Sequence, residues 1–192
     1  MIYKIFKRVM DIILSGSLIL MTLPILVLAA TLVALESSGH PIYTQKRLGF
    51  RGKVFRLFKL RSMRNDEERD LNVQIGNGDL SVTRVGKLIR RTKIDELPQI
   101  FNVLKGDMSF VGPRPCLPQL QSEFNDDGRA RLLVRPGITG LAQVSGNIHL
   151  SWEERWKLDR AYVEHLSFDL DLEIILRTIS VVLMGDKWGV KK

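Results

Sequence analysis

The stretch Arg90–Pro115, RRTKIDELPQIFNVLKGDMSFVGPRP, decides how the rest of the chain is read. Two adjacent carboxylates, Asp95 and Glu96, precede a proline and a short apolar helical pattern. Arg90 and Arg91 stand before them and Arg114 after. Pro98 suits the first turn of a helix, where its missing amide donor is not needed. The spacing predicts a helix from near Asp95 to Leu104, stopped by Gly106. The carboxylates then lie at a helix N-terminus, whose dipole favours their charged forms. Capping accounts for one acid at such a place. It does not account for Gly112-Pro113-Arg114-Pro115, where two prolines fix the backbone around one arginine. A guanidinium aimed in this way matches phosphate oxygens.

Upstream, Lys4, Lys7 and Arg8 lead into an apolar run from Ile12 to Leu35 whose only polar side chains are Ser15, Ser17, Thr22 and Thr31. The run is long enough to cross a bilayer. It exceeds the hydrophobic segment of a signal peptide, and Glu36-Ser37-Ser38-Gly39 is a poor cleavage site. The flank after it is also basic, with Lys46, Arg47, Arg51 and Lys53. Basic flanks on both sides favour two cytoplasmic ends. Pro24, central in the run, can bend or break the helix. A re-entrant hairpin is therefore preferred over a straight span, with Thr22 as a local partner for a freed backbone group.

Residues 40–64 read as two short strands around a tight turn at Gly49 and Gly52, the second strand being Val54–Leu60. Neither face of that strand is cleanly apolar, so an interfacial stretch is an alternative. Lys59, set among apolar residues, is a candidate anion ligand. Residues 65–80 are acidic, then Gly- and Asn-rich, and read as a surface loop. TRVGKLIRRT from Thr83 reads as a short basic helix with Val85, Leu88 and Ile89 inward.

Downstream, residues 117–133 suggest a helix and then a turn at Asp127-Gly128. In RPGITGLAQ from Arg135, the glycines permit close backbone approach to a ligand. No Walker A pattern follows. Ser151 is a fair N-cap for a helix from Trp152 to about His165. Leu170–Met184 is apolar but interrupted by Asp171, Glu173 and Arg177, and should lie on the domain or on a bilayer surface.

The 192 residues suffice for one domain with a core. A net charge of +8 points to anionic partners, whether nucleic acid, phosphorylated substrates or anionic lipid. No nucleic-acid-binding motif and no zinc-ligand spacing is present. The single cysteine, Cys116, excludes an internal disulfide and reads as a structural thiol. A membrane-tethered adaptor, using basic charge to bind lipid or an acidic partner, is an alternative reading; a membrane-anchored nucleic-acid binder would have no use for an Asp-Glu pair between arginines.

KLIRRTKIDELPQIFNVLKGDMSFVGPRP, with RPGITGLAQVSG after it, resembles the bacterial sugar transferases that start glycan assembly on a polyprenyl carrier, the monotopic phosphoglycosyl transferases. FKLRSM and SWEERWKLDRAYVEHLSFDLDLEIILRTI extend the likeness over nearly the whole chain, which looks like the minimal form of the family. The resemblance implies a mainly α fold with minor β: a re-entrant helix-break-helix at residues 1–38, interfacial amphipathic helices, and a compact cytosolic catalytic domain at 39–192. It implies transfer of a sugar phosphate from a UDP-sugar to polyprenyl (undecaprenyl) phosphate, with release of UMP. Asp95 is then the nucleophile of a ping-pong scheme, and Glu96 assists as base or in holding metal. Mg2+ binds at Asp95 and bridges the diphosphate. Lys59, Arg90, Arg114 and Arg135 form the substrate-binding set. The expected setting is the cytosolic face of the bacterial inner membrane, with both chain ends cytoplasmic, no nucleic acid partner, and room for a homodimer. Where the family often has Ser-Pro at the membrane break, this chain has Leu23-Pro24.

Overall fold

A computed structural model describes residues 2–64 and 81–184. The loop expected at 65–80 lies outside the described residues.

The first element is α1 (Ile2–Glu36), a single helix that continues through Pro24. The proline removes the amide that would bond the Leu20 carbonyl, and yet the helix does not end there. The Thr22 hydroxyl donates to the Leu18 carbonyl at 2.7 Å. It therefore serves its own preceding turn and not the group that Pro24 frees. Mean hydropathy reaches 2.7 within α1. Around the proline, Leu20, Met21, Leu23 and Ile25 are all exposed.

Both ends of α1 rest on the rest of the chain. Near its start, buried Asp11 accepts hydrogen bonds from Ser109 Oγ at 3.1 Å and the Phe110 amide at 3.2 Å. Arg8 donates to the carbonyls of Val103 and Leu104 at 2.7 and 2.8 Å. Near its end, Ala29 and Val33 pack with Leu60 and Ile89. Arg61 holds the exit by donating to the carbonyls of Ser37 and Ser38, both at 2.6 Å.

Next come antiparallel strands β1 (Ile42–Leu48) and β2 (Val54–Leu60), joined through Gly49–Lys53 as the glycine spacing predicts. Mixed patterning in β2 has a simple cause, since its outer face is wet at Val54 and Arg56 but covered at Leu60. Phe55 and Leu57 point to Val103 and Met108, whereas Leu60 meets α1. Period-two alternation thus holds over Val54–Leu57, where one face is wet, and is lost where α1 covers that face.

Helix α2 (Arg84–Arg91) is capped twice. Thr83 accepts from the Gly86 amide at 2.8 Å, and the Glu36 carboxylate accepts from the amides of Arg84 and Val85 at 2.7 and 2.8 Å. Ile89 is buried, but Leu88, expected inward, is 58% exposed.

A 3-10 turn over Ile94–Glu96 separates α2 from α3 (Gln99–Lys105). The α-helix thus starts at Gln99, later than the spacing predicts, with Pro98 as its N-cap and Gly106 as the expected left-handed stop (φ 98°). Asp95 and Glu96 sit in the preceding turn instead of the helix's own first turn. Fully buried Asn102 locks α3 to β2: its Oδ1 accepts from the Phe58 amide at 3.0 Å, and its Nδ2 donates to the Arg56 carbonyl at 2.8 Å.

Strand β3 (Ser109–Val111) pairs in parallel with β4 (Gly137–Thr139). Between them lie a 3-10 helix at Pro118–Glu123 and α4 (Asp126–Ala130). The turn expected at Asp127-Gly128 is helical, capped by Asn125 accepting from the Gly128 amide. Short α5 (Leu141–Val144) follows, then α6 (Trp152–Glu164), which opens on a Ser151/Glu154 capping box, and α7 (Phe168–Met184). The main core joins Val111, Val134, Val144, Tyr162 and Ile174. Trp156 is buried against Phe124, while Trp152 is 41% exposed. On α7, Phe168, Leu172, Leu176, Ile179 and Val182 form an exposed apolar face, and Phe168 touches Phe6 of α1.

Candidate active site

Left-handed Lys93 (φ 59°, ψ 14°) turns the chain sharply between α2 and the Ile94–Glu96 turn. The two carboxylates then meet β2. Side chains alternate along a strand, so Lys59 shares a side with Phe55 and Leu57, the side that faces α3. From there Lys59 Nζ donates to Glu96 Oε1 at 3.0 Å. Arg114 Nη2 donates to the same oxygen at 3.1 Å. One carboxylate oxygen thus gathers two cations from distant parts of the chain.

Asp95 is placed differently. It is 8% exposed, and no hydrogen bond or ion pair engages its carboxylate among the described residues. Burial pushes its carboxyl up, and the neighbouring Glu96 charge adds to this, against the downward pull of Lys59, Lys93 and Arg90. For Glu96 burial acts in the same sense, but Arg114 and Lys59 outweigh it and hold the group well below the usual carboxylate range. The sequence reading expects the cations and a helix dipole to keep Asp95 fully ionised. The dipole belongs to a helix that starts four residues later, at Gln99, and desolvation exceeds the cationic pull. A carboxylate whose proton affinity is raised is the more nucleophilic one.

The Pro113–Cys116 loop that carries Arg114 is held from beneath. Arg131 Nη2 donates to the Arg114 carbonyl and pairs with Asp159 at 3.2 Å. Both partners are buried, and burial pushes the Asp159 carboxyl up to about 6 despite Arg131 and Arg155. Neither residue was singled out from sequence. A signal exists nonetheless: Trp156, Asp159 and Tyr162 recur at three-residue spacing along one stripe of α6, and all three are buried.

The glycines of RPGITG approach another backbone rather than a ligand. A Cβ on Gly137 would lie 2.1 Å from the Gly112 nitrogen, and one on Gly140 2.2 Å from the Gly112 oxygen. That contact fixes the β3–β4 pairing and with it the origin of the Gly112–Pro115 loop.

Lys59, Asp95, Glu96 and Arg114 therefore share one cluster, and Arg90, near the end of α2, is close enough for its charge to act on Asp95. Arg135 lies outside that cluster. It sits at the opposite end of α3, donating to the Gly106 carbonyl at 2.9 Å, with its guanidinium 5.9 Å from the Phe50 ring centre. There it lines a cleft of about 90 Å3 with Lys4, Lys7, Arg8 and Asp11. Cys116 is buried, as expected of a structural thiol.

Among the described residues, no group of three or more His, Cys, Asp or Glu side chains gathers to hold a metal. Magnesium sites that act on phosphates use one or two carboxylates and complete the shell from substrate and water. The unengaged Asp95 carboxylate, beside Glu96 and its two cations, fits that donor set.

The family model for bacterial sugar transferases matches residues 2–185. The chain is 40% identical over 182 residues to the uncharacterized sugar transferase EpsL of Bacillus subtilis, covering 95% of this chain and 89% of that one. It is 40% identical to a UDP-glucose:undecaprenyl-phosphate glucose-1-phosphate transferase of Caulobacter vibrioides, covering 94% of this chain and 70% of the relative. A Klebsiella pneumoniae protein of the same name is 41% identical, over 93% of this chain but only 40% of its own length. Matched by that family model over residues 2–185 and 40% identical to a relative of nearly its own length, the chain belongs to the bacterial sugar transferase family.

Proposed function

We propose that the chain moves a sugar 1-phosphate from a UDP-sugar to undecaprenyl phosphate and releases UMP, the first membrane step of glycan assembly. The observation that carries this reading is the division of labour between two adjacent acids. Glu96 is clamped by Lys59 and Arg114, while the adjacent Asp95 carboxylate lies within the pull of Lys59, Lys93 and Arg90 with no hydrogen bond or ion pair of its own among the described residues.

The chemistry brings an anion to an anion, so cations must come first. Lys59, Arg90 and Arg114 receive the diphosphate. An Asp95 oxygen attacks the sugar-bearing phosphorus. The bond from that phosphorus to the bridging oxygen breaks, and its electron pair leaves with UMP. A phosphosugar ester of Asp95 remains. An oxygen of undecaprenyl phosphate then attacks the same phosphorus, and Asp95 departs as a carboxylate. No net proton is gained or lost. Glu96 keeps Lys59 and Arg114 at fixed distance from the reacting centre, the positioning that such displacements depend on. Asp95 would hold Mg2+, which supplies further neutralisation of the diphosphate.

The acceptor phosphate lies at a bilayer surface, so the site must lie there too. Residues 1–38 serve as the membrane anchor and 39–192 as the cytosolic catalytic domain. Docking of both ends of α1 on that one domain, with the exposed apolar stretch around Pro24 between them, supports a re-entrant course with both ends on the cytosolic side of the inner membrane. The apolar face of α7, adjoining α1 through Phe6 and Phe168, suits the same interface.

A screen of UDP-sugars with undecaprenyl phosphate, scored by UMP release, tests the reading. One or more donors should give UMP with the native chain and none with Asp95→Asn. Equal release by both proteins would refute it.

A further inference from the structure

Two more arginines stand beside Arg114, and the mechanism above does not use them. Arg47, at the end of β1, is carried to the Pro113–Cys116 loop because the next residue, Leu48, donates its amide to the Cys116 carbonyl at 2.9 Å. Arg155 reaches the same region from the first turns of α6, its guanidinium 4.7 Å from the Trp152 ring centre. Each is close enough to Arg114 for the like charges to repel.

Among the described residues, Arg47 and Arg155 form no ion pair within 4.0 Å. Arg47 donates to the neutral Gln45 amide at 2.5 Å. The acid whose charge acts on Arg155 is Asp159, already paired with Arg131. The Nε atoms of both side chains are buried without a hydrogen-bond partner. The local acids are thus used up: Glu96 by Lys59 and Arg114, Asp159 by Arg131. Converging cations with unfilled donors are costly to assemble unless an anion joins them.

We propose that Arg47 and Arg155 flank Arg114 as a second phosphate seat, which takes the nucleoside-bearing phosphate of the donor and holds the departing nucleoside monophosphate. This rests on the transfer reading above. The seat adjoins the Asp95–Glu96 pair because Arg114, which it includes, also engages Glu96. When the bond between the two phosphorus atoms' bridging oxygen and the sugar phosphate breaks, the electron pair stays on the nucleotide phosphate. That group gains one negative charge, and guanidinium forks placed there stabilise it as it forms.

UMP is the probe. In the native protein, UMP should protect Arg47 and Arg155 from phenylglyoxal, read by peptide mass spectrometry. Arg47→Gln and Arg155→Gln should each raise the inhibition constant for UMP and the KM for UDP-sugar about tenfold, a loss of ~1.4 kcal/mol. The KM for undecaprenyl phosphate should not move. No protection of either arginine, or unchanged UMP inhibition in folded variants, would overturn the proposal. Because protection is read on the native chain, a variant that fails to fold leaves the test intact. Covalent labelling of Asp95 in the variants separates the two readings: labelling with unchanged UMP inhibition sinks the second seat alone. Protection by UMP in a chain that transfers no sugar phosphate upholds the seat and sinks the reaction.

Discussion

Arg114 and Glu96 lie 18 residues apart in sequence and meet at 3.1 Å, on the same Glu96 oxygen that Lys59 reaches at 3.0 Å. The proline-locked arginine is therefore aimed first at a carboxylate, and through it at the neighbour of that carboxylate, Asp95.

Glu96→Gln removes the charge that gathers these cations and keeps the shape. With Lys59 and Arg114 released from fixed positions, kcat/KM should fall on the order of 100-fold. The Glu96 charge also contributes to raising the Asp95 carboxyl. Its loss should move the acid limb of the residual pH profile to lower pH. A limb that stays in place would detach Glu96 from Asp95.

Lys59→Met should act in the opposite direction. Lys59 draws the Asp95 carboxyl down against burial, so without it the acid limb should move to higher pH. The same burial gives Asp95→Asn a sign for stability. A carboxyl whose folded pKa is raised opposes folding once it is ionised, and that cost is present above the pKa of the unfolded chain. At neutral pH the inactive Asp95→Asn protein should therefore melt at a higher temperature than the native one. Thermal melts at pH 7 would check this, and a lower Tm would contradict it.

Asn102→Ala tests the scaffold. The change leaves the Phe58 amide and the Arg56 carbonyl without their side-chain partners, at about 1–3 kcal/mol for each buried group. Chemical denaturation should show the loss. Since Asn102 fixes α3 against the strand that bears Lys59, activity should fall together with stability.

Cysteines introduced at Lys4 and Ser38 bracket the anchor. Buried Cys116 contributes little background. In oriented inner-membrane vesicles, both sites should react with an impermeant maleimide from the cytosolic face only. Reaction from opposite faces would rule out the re-entrant course.

Sequence legibility followed the range of the forces involved. The β1–β2 hairpin, the Gly106 stop and the Ser151 capping box are local, and turn and cap chemistry announces them. The cluster of Asp95, Glu96, Lys59 and Arg114 was assembled from charge logic and from likeness to a family, and the fold brings those four together. What stayed hidden is set by distant packing. Nothing near Asp11 announces that it will accept from Ser109 and Phe110, almost 100 residues on. Arg131 and Asp159 look like solvated helix charges until α4 and α6 close over them. The glycines of RPGITG signal close approach correctly, but sequence does not say whether a ligand or another strand comes near. Helix α3 begins later than its spacing suggests because Lys93 takes a left-handed turn, which no residue type there requires.

The most direct measurement is to incubate the purified native chain with a UDP-sugar carrying a radiolabelled sugar phosphate, with no acceptor present, and to map any label by peptide mass spectrometry. The expected result is one phosphosugar on the peptide bearing Asp95, formed with release of one equivalent of UMP and discharged on adding undecaprenyl phosphate. Turnover with acceptor but no label on Asp95 without it would contradict the covalent role of that residue.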